Sequence, residues 1–215
     1  MRRPAAVIFD FDDTLIATST SRKLLFLRFL QLFTDVTPDS LERVWGRPML
    51  EMLQRLAPNV DPDRALDAYR AIMEFGPPAP LLPGVEAAIR ELSDEGVALM
   101  ILTSSARRLV ESDLARHNLL PMFTLIWSSD EMLYAKPDPR VLSPLMAWLR
   151  DNGQRLDNIL YVGDSPTDYE LAARTGIPFV AVTTGSTDEG RFRSLGALQI
   201  ASSLYAIPQL IAQQA

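Results

Sequence analysis

The chain has 215 residues, of which 47% are hydrophobic, so it can bury a substantial core as one large domain or as one domain with an insert. Its formal net charge of −6 and the lack of a Lys/Arg run argue against a nucleic acid partner, which requires a concentrated basic face. The sequence has no cysteine, which excludes disulfides and thiol chemistry. A small phosphorylated ligand stays compatible with this charge, because it needs only a few well-placed positive groups.

The N-terminus does not form a convincing signal peptide, because the sequence MRRPAAVIFDFDD reaches Asp10 before a sufficient apolar segment is complete. The most apolar later segment, residues 24–33, is too short to span a bilayer and contains Arg28 and Gln31. We therefore expect a cytoplasmic protein without a membrane partner. The segment 24–33 is predicted to be a helix that either packs in a domain core or faces a second copy, so a monomer and a homodimer both stay open.

Short apolar or β-branched runs alternate with longer helical patterns along most of the chain, which is typical of a parallel sheet with crossover helices. The predicted strands are residues 6–9, 97–102, 125–127, 159–162, 179–182 and, more weakly, 198–200. The predicted helices between and after them are residues 85–94, 107–117, 140–150, 167–175 and 204–212. This alternation predicts an α/β fold.

Residues 17–81 differ from the rest, because they carry helical periodicity but no convincing strand. The predicted helices of this segment are residues 21–33, 41–44, 49–56 and 62–75. The segment closes with the sequence GPPAP at residues 76–80, whose prolines stop a helix and stiffen the chain. We therefore divide the chain into a core, residues 1–16 and 82–215, and an inserted helical domain, residues 17–81.

Four polar stretches, three of them directly after predicted strands, carry the chemistry. They are Asp10, Asp12, Asp13 and Thr14; Thr103, Ser104 and Ser105; Lys136, Pro137 and Asp138; and Asp164, Ser165 and Asp168. In an open parallel sheet, ligands bind outside the carboxyl ends of the strands where the strand order reverses. If the strand before Asp164 lies beside the strand before Asp10, their carboxylates converge and repel each other. A cation would offset that repulsion, and hard oxygen ligands suit Mg²⁺.

In this order, the four stretches resemble the motifs of the haloacid dehalogenase superfamily of phosphohydrolases. The resemblance covers essentially the whole chain, including a helical cap inserted after the first motif, as in the subgroup similar to phosphoglycolate phosphatases. It implies a Rossmann-like three-layer core. It also implies an Mg²⁺-dependent phosphomonoester hydrolase that acts on a small phosphorylated metabolite, with phosphoglycolate as the best guess, through an aspartyl phosphate.

The resemblance also assigns roles to the acidic residues. Asp10 would be the nucleophile, and Asp12 would protonate the leaving oxygen and later take a proton from the hydrolytic water. The Mg²⁺ ion would be held by the carboxylate of Asp10, the backbone carbonyl of Asp12 and the carboxylate of Asp164. Asp168 and Thr14 would lie beside the ion without bonding to it directly, and Asp168 is equally suited to be an N-terminal acid on the following helix.

The phosphoryl group in transfer needs hydrogen-bond donors and positive charge, and the resemblance places three groups there. They are the hydroxyl of Thr103, the backbone N–H of Ser104 and the ammonium of Lys136. Ser104 or Ser105 is also expected to cap the helix that begins at Arg107.

Asp13 departs from the family pattern, because many relatives have glycine there, in the motif D-x-D-G-T. Aspartate tolerates left-handed turns better than most residues, so we expect Asp13 to preserve the turn and to lie outside the chemistry. In the inserted domain, Arg47 lies in the turn Trp45-Gly46-Arg47-Pro48. We hypothesise that Arg47 pairs with a second anionic group of the substrate, such as a glycolate carboxylate, although a surface turn is the alternative.

Two other functions stay open from the sequence. A phosphomutase of the β-phosphoglucomutase type would use the same core but return the phosphoryl group to a sugar phosphate. A non-catalytic protein that binds a phosphorylated ligand would be expected to lack Asp10, Asp12, Lys136 or Asp164, and all four are present. The natural substrate does not follow from the sequence.

Overall fold

The computed structural model describes residues 4–44, 49–75, 79–155 and 158–213. The chain divides into two compact units, one formed by Met1–Ala17 with Pro80–Ala215 and the other by Thr18–Ala79. We call the first the core unit and the second the helical unit. The function of the helical unit as a cap stays a prediction.

The elements alternate between strand and helix through the core unit, while the helical unit contains helices. In chain order they are β1 (Ala6–Phe9), α1 (Thr18–Leu30), α2 (Pro38–Glu42), α3 (Met49–Leu56), α4 (Pro62–Phe75), α5 (Val85–Asp94), β2 (Ala98–Leu102), α6 (Arg107–Arg116), β3 (Phe123–Trp127), α7 (Ser143–Asp151), β4 (Ile159–Gly163), α8 (Pro166–Thr175), β5 (Phe179–Val182), α9 (Glu189–Leu195), β6 (Gln199–Ala201) and α10 (Ile207–Gln213). Short 3₁₀ turns lie at Leu120–Met122, Pro139–Leu142 and Leu204–Ala206.

Within the described residues, the strands form a six-stranded parallel sheet in the order β3-β2-β1-β4-β5-β6. This order confirms the predicted α/β fold with a Rossmann-like core. The direction in which the chain adds strands reverses between β1 and β4, where Phe9 pairs with Val162. The residues that follow these two strands therefore emerge side by side at the same edge of the sheet.

The central strands are buried along their whole length, as expected for a parallel sheet covered by helices on both faces. Helix α5 shows how its sequence achieves this cover. Its buried residues Val85, Ala88, Ile89 and Leu92 recur at helical spacing and form one apolar stripe.

Two helices of the helical unit begin three residues earlier than predicted. Helix α2 starts at Pro38 because Thr37 caps it, with hydrogen bonds exchanged between Thr37 and Ser40. Helix α1 spans Thr18–Leu30 instead of residues 21–33.

The apolar segment 24–33 contributes to the core of the helical unit. Phe26 and Phe29 are buried, and the ring of Phe26 meets that of Tyr69 edge-on at 5.1 Å between centroids. Leu32 and Phe33 are exposed. The domain-core alternative therefore accounts for part of this segment, and the oligomeric state stays open. Among the helices of the described ranges, none has the length and apolar character that a membrane span requires.

Candidate active site

Three carboxylates meet at the carboxyl edge of the sheet, where the strand order reverses. Asp10 follows β1, and its backbone N–H donates to Val162 O at 2.9 Å, which ties it to β4. Asp164 follows β4, and Asp168 lies in the first turn of α8. All three are buried, and one oxygen from each lies within 4.8 Å of the others. The structure thus brings together the acidic residues of the first and last motifs.

Lys136 supplies positive charge to this cluster. Its ammonium donates to Asp10 Oδ1 at 2.6 Å and to Asp168 Oδ1 at 2.7 Å, and its side chain is only 7% exposed. Burial opposes the charge on Lys136, but Asp10, Tyr161 and Asp168 together outweigh it, and the pKa of Lys136 is raised well above its usual range. The lysine is therefore a charged group fixed against the predicted nucleophile.

One ammonium does not balance all of the negative charge. Burial, and then the carboxylates of Asp168, Asp12 and Asp164, raise the pKa of Asp10 well above its usual range despite Lys136. Burial is also the main cause that raises the pKa of Asp164 to about 7, followed by Asp168 and Asp13. The cluster has an excess of negative charge that a bound cation would relieve.

The carboxylate oxygens of this cluster are suitable ligands for a divalent cation that prefers oxygen. Oδ1 of Asp168 accepts from Lys136 and from Tyr161, and its Oδ2 accepts from the hydroxyl and backbone N–H of Ser165. These four bonds use the acceptor sites of that carboxylate. Asp10 and Asp164 are thus better placed than Asp168 to be direct ligands.

Thr14 lies between the two candidate ligands, and its place beside a metal stays a prediction. Its hydroxyl is 3.5 Å from Asp10 Oδ2 and 3.3 Å from Asp164 Oδ1. The backbone of Gly185, in the loop after β5, packs against Asp164, and a Cβ built on Gly185 would lie 1.8 Å from Asp164 Oδ2. Hydroxyl and glycine together define where the Asp164 carboxylate can lie.

Asp12 is held by the loop that follows β2. Its Oδ2 accepts from Ser105 Oγ at 2.5 Å and from Thr103 Oγ1 at 3.3 Å. Thr103 Oγ1 in turn accepts from the backbone N–H of Ser105 at 3.0 Å. The Ser104 side chain is exposed, and its backbone N–H meets no acceptor in the part of the chain that the structure describes.

The expected capping role of Ser104 or Ser105 is wrong. The residue before α6 is Ala106, which has no side-chain oxygen to cap the helix, and the backbone N–H of Arg107 instead donates to Asp130 Oδ2 at 2.8 Å. The hydroxyl of Ser105 is instead directed to Asp12, which a sequence pattern cannot distinguish from a cap because both arrangements place serine just before a helix.

Asp13 has a left-handed backbone, a conformation that glycine adopts more readily than other residues. Its φ is 55°, its N–H donates to Ile16 O at 2.7 Å, and its carbonyl accepts from Thr184 Oγ1 at 2.6 Å. Asp13 therefore does preserve a turn. Its carboxylate also contributes to the raised pKa of Asp164, so its expected place outside the chemistry stays a prediction.

Two residues of the site, Tyr161 and Gly185, were not predicted from the sequence. Ser105 and Ser165 lie in the predicted polar stretches, but their contacts with the aspartates were not predicted. For Ser165 a signal was available, because Ser165 and Asp168 form a capping box at the start of α8, and this supports the interpretation of Asp168 as an N-terminal acid. Tyr161 gave no such signal, because an aromatic residue is ordinary in a buried strand. Arg47 lies outside the described residues.

Comparisons with known proteins agree with this geometry. A family model described as haloacid dehalogenase-like hydrolase matches residues 7–182. A plasmid-encoded phosphoglycolate phosphatase of Cupriavidus necator is 32% identical over 216 residues, which cover 96% of this chain and 92% of that protein. A pyrophosphatase, PpaX, of Oceanobacillus iheyensis is 24% identical over 191 residues, which cover 87% of this chain and 87% of that protein.

A solved structure supports the fold. A β-phosphoglucomutase candidate from Thermotoga maritima has a TM-score of 0.82 to this chain, with 98% of this chain and 99% of that chain covered. Its sequence identity is 21%, so the likeness bears on the fold alone.

Proposed function

The chain belongs to the haloacid dehalogenase-like hydrolases and is a phosphatase, and we propose that it hydrolyses a small phosphomonoester through an aspartyl phosphate on Asp10. The observation that carries the proposal is the placement of Asp10. Its carboxylate is buried at the switch point of the sheet, and the ammonium of Lys136 contacts one of its oxygens at 2.6 Å. Asp12, two residues on, is fixed by a separate pair of hydroxyls.

In the first step, a carboxylate oxygen of Asp10 attacks phosphorus and forms a P–O bond while the ester P–O bond breaks. Asp12 gives its proton to the leaving alkoxide, which departs as an alcohol. The hydrogen bonds from Ser105 and Thr103 to Asp12 Oδ2 support this role, because they limit the directions in which the carboxyl group can point.

In the second step, a water molecule attacks the phosphorus of the aspartyl phosphate. Asp12, now a carboxylate, takes a proton from that water, the bond between phosphorus and the Asp10 oxygen breaks, and inorganic phosphate is released. This step regenerates the carboxylate of Asp10 and the protonated form of Asp12, so the cycle closes without a further reactant.

The transferred phosphoryl oxygens would be met by Lys136, by the backbone N–H of Ser104 and by the hydroxyl of Thr103. The Thr103 hydroxyl has one hydrogen, which would turn from Asp12 to the phosphoryl group, while Ser105 would keep its bond to Asp12. We propose Mg²⁺ as the cation, held by the carboxylates of Asp10 and Asp164 and the backbone carbonyl of Asp12. When bound, Mg²⁺ would neutralise charge on the nucleophile and on the phosphoryl oxygens.

Phosphoglycolate is the substrate that we propose first, because the relative with 32% identity is a phosphoglycolate phosphatase. The helical unit would act as a cap that excludes water while the aspartyl phosphate forms. Arg47 stays the candidate partner for a substrate carboxylate, and the cytoplasm stays the predicted compartment.

The test is a phosphometabolite panel with Mg²⁺ that sets phosphoglycolate beside nucleoside monophosphates and sugar phosphates. We expect the wild-type chain to release inorganic phosphate, and Asp10→Asn to lower kcat by at least about 10³-fold, as for loss of a nucleophile. Asp151→Asn is the control, because Asp151 is an exposed carboxylate at the end of α7. We expect it to keep full activity.

Three outcomes would contradict the proposal. Wild-type activity in Asp10→Asn would show that the reaction does not pass through an aspartyl phosphate on Asp10. Turnover of sugar phosphates that requires an activating bisphosphate would favour the phosphomutase. Failure to hydrolyse any member of the panel would favour a non-catalytic binding protein.

A further inference from the structure

Tyr161 places a hydroxyl inside a cluster that is otherwise apolar. Among the described residues, the buried members of this cluster besides Tyr161 are aliphatic side chains and one methionine, Met100. The residue is fully buried on β4, and its ring meets the ring of Phe179 edge-on, with centroids 5.8 Å apart. A phenylalanine would fill the same space without removing a hydroxyl from water, which is unfavourable unless the hydroxyl finds a partner.

The partner of this hydroxyl is the carboxylate of Asp168. The Tyr161 hydroxyl donates to Asp168 Oδ1 at 2.6 Å, and Lys136 donates to the same oxygen at 2.7 Å. Ser165 Oγ donates to the other oxygen, Oδ2, also at 2.6 Å. The carboxylate of Asp168 is therefore held from two sides, by a strand residue at Oδ1 and by the helix cap at Oδ2.

A continuous path of hydrogen bonds leads from this tyrosine to the nucleophile. It runs from the Tyr161 hydroxyl to Asp168, from Asp168 to the ammonium of Lys136, and from Lys136 to Asp10 Oδ1. We infer that Tyr161 is a positioning residue whose hydroxyl, acting through Asp168, holds the Lys136 ammonium against Asp10. This inference rests on the proposed function, in which Asp10 attacks phosphorus and Lys136 meets the phosphoryl oxygens.

Tyr161→Phe removes the hydroxyl and keeps the ring that packs against Phe179. Asp168 keeps its Ser165 bonds at Oδ2, but its Oδ1 is left with Lys136 as the one partner described for it here. The carboxylate can then turn away from its present orientation. The ammonium of Lys136 would be less well directed towards Asp10.

The kinetic test uses Tyr161→Phe and the substrate that the wild-type chain hydrolyses best. We expect kcat to fall about tenfold, at the lower end of what the loss of an outer hydrogen-bonding partner costs an active site. Tyr69→Phe is the matched control, because Tyr69 is also buried and its hydroxyl donates to Arg22 O within the helical unit. This control loses a buried hydroxyl without touching Asp168, and we expect its kcat to stay within twofold of wild type.

A double-mutant cycle separates positioning from a general loss of packing. If Tyr161 acts through Asp168, Tyr161→Phe should lower kcat by less than twofold in an Asp168→Asn background. An equal tenfold loss in both backgrounds would overturn the inference, since the hydroxyl would then act independently of Asp168. Full kcat in Tyr161→Phe, with active wild type, would overturn it while leaving the proposed function intact.

A crystal structure of Tyr161→Phe gives a readout that does not depend on turnover. We expect the contact between Lys136 Nζ and Asp10 Oδ1 to lengthen or to be lost, while the Ser165 contact with Asp168 is kept. A contact that stays at 2.6 Å in Tyr161→Phe would overturn the inference, whether or not the wild-type chain is active. A wild-type chain that hydrolysed nothing would by itself refute only the proposed function.

Discussion

The four aspartates proposed to act at the site differ in their partners, and the differences match different roles. Asp10 contacts an ammonium, as suits a nucleophile that must approach a phosphate. Asp12 accepts from two neutral hydroxyls, those of Ser105 and Thr103, which orient its carboxyl group. Asp168 has four donors, whereas Asp164 has the hydroxyl of Thr14 at 3.3 Å. Asp164 is therefore the carboxylate with most capacity left for a metal.

Gly185 leaves room for the Asp164 carboxylate in its present position, and the first prediction concerns Gly185→Ala. A Cβ at this position would lie 1.8 Å from Asp164 Oδ2, so the carboxylate or the loop after β5 must move. We expect the Mg²⁺ concentration for half-maximal activity to rise by about 10- to 100-fold, as when metal ligands lose their support. A titration of activity with Mg²⁺ measures this shift.

Gly190→Ala is the matched control for that prediction. Gly190 lies in α9, and a Cβ there would meet Asp188 Oδ1 at 3.4 Å, which is an ordinary contact. Alanine is also the better helix former, so this variant should be at least as stable as wild type with an unchanged Mg²⁺ requirement. An unchanged requirement in Gly185→Ala would mean that Gly185 does not fix the Asp164 carboxylate for the cation.

The residues whose roles could be predicted are those with a motif, and the remainder follow from contacts between distant parts of the chain. Asp10 and Asp164 could be paired from sequence because each follows a strand of a parallel sheet. Ser105 and Tyr161 could not be placed, because their partners are 93 and 7 residues away and depend on side-chain direction. Hydrophobic periodicity carries no information about where a hydroxyl points.

At the scale of elements, the start of α6 is tied to the loop after β3 by Arg107. Its guanidinium donates to Glu131 and to Ile126 O, and its backbone N–H donates to Asp130 Oδ2 at 2.8 Å. The backbone N–H of Ser129 donates to Ser105 O in the same region. This link connects the loop that holds Asp12 with the loop that leads to Lys136.

Glu131 carries the charge of this link, and Glu131→Gln is the second prediction. Burial opposes ionisation of Glu131, but hydrogen bonds from Arg107 and Ser128 outweigh it and lower its pKa from 4.5 to about 2. Since the folded chain prefers the ionised form, its contribution is complete above pH 4.5 and is lost as the pH falls from 4.5 towards 2.

Urea unfolding of wild type and Glu131→Gln at several pH values measures this contribution. We expect the variant to be less stable by about 2 kcal/mol at pH 7, as for hydrogen bonds to a charged group, and the difference to shrink on acidification. Glu91→Gln, at an exposed position in α5, should show no comparable difference. A gap between wild type and Glu131→Gln that stays constant from pH 7 to pH 2.5 would contradict the assignment of the stabilisation to the ionised carboxylate.

The long regular elements were predictable, and the short capped ones were harder. Each of the six predicted strands corresponds to a strand of the described sheet, with β3 two residues longer at its start than expected. Helix α9 was missed, because seven residues are too few for a clear helical period. Its ends do carry signals, with Asp188 as N-cap and Gly196 in the left-handed conformation after the last turn.

At the scale of the whole molecule, the chain leaves and re-enters the core unit at adjacent points. Ala17 N–H donates to Pro80 O at 2.9 Å, Leu82 N–H donates to Leu15 O at 3.0 Å, and Ile16 pairs with Leu81 in an antiparallel bridge. These residues all belong to the core unit or its border. The core unit is therefore closed on itself at the place where the helical unit is inserted.

This closure leads to the last prediction, which concerns a chain in which a short Gly/Ser linker replaces residues 18–79. We expect it to fold, because the sheet and the apolar cluster around Tyr161 lie within the core unit and the linker has only adjacent ends to join. If the helical unit is a cap, kcat/KM for the best metabolite should fall on the order of 100-fold, since a closing element positions substrate.

A small aryl phosphate has little for a cap to recognise. For this substrate, kcat/KM of the shortened chain should therefore fall much less than for the metabolite. The ratio of kcat/KM for the metabolite to that for the aryl phosphate is the measurement, and Asp10→Asn in the shortened chain shows that the remaining hydrolysis uses the same nucleophile. Equal losses for both substrates would mean that the helical unit supports the core without selecting substrate. A folded, shortened chain that kept its full preference for the metabolite would place specificity in the core unit and leave Arg47 without the proposed role.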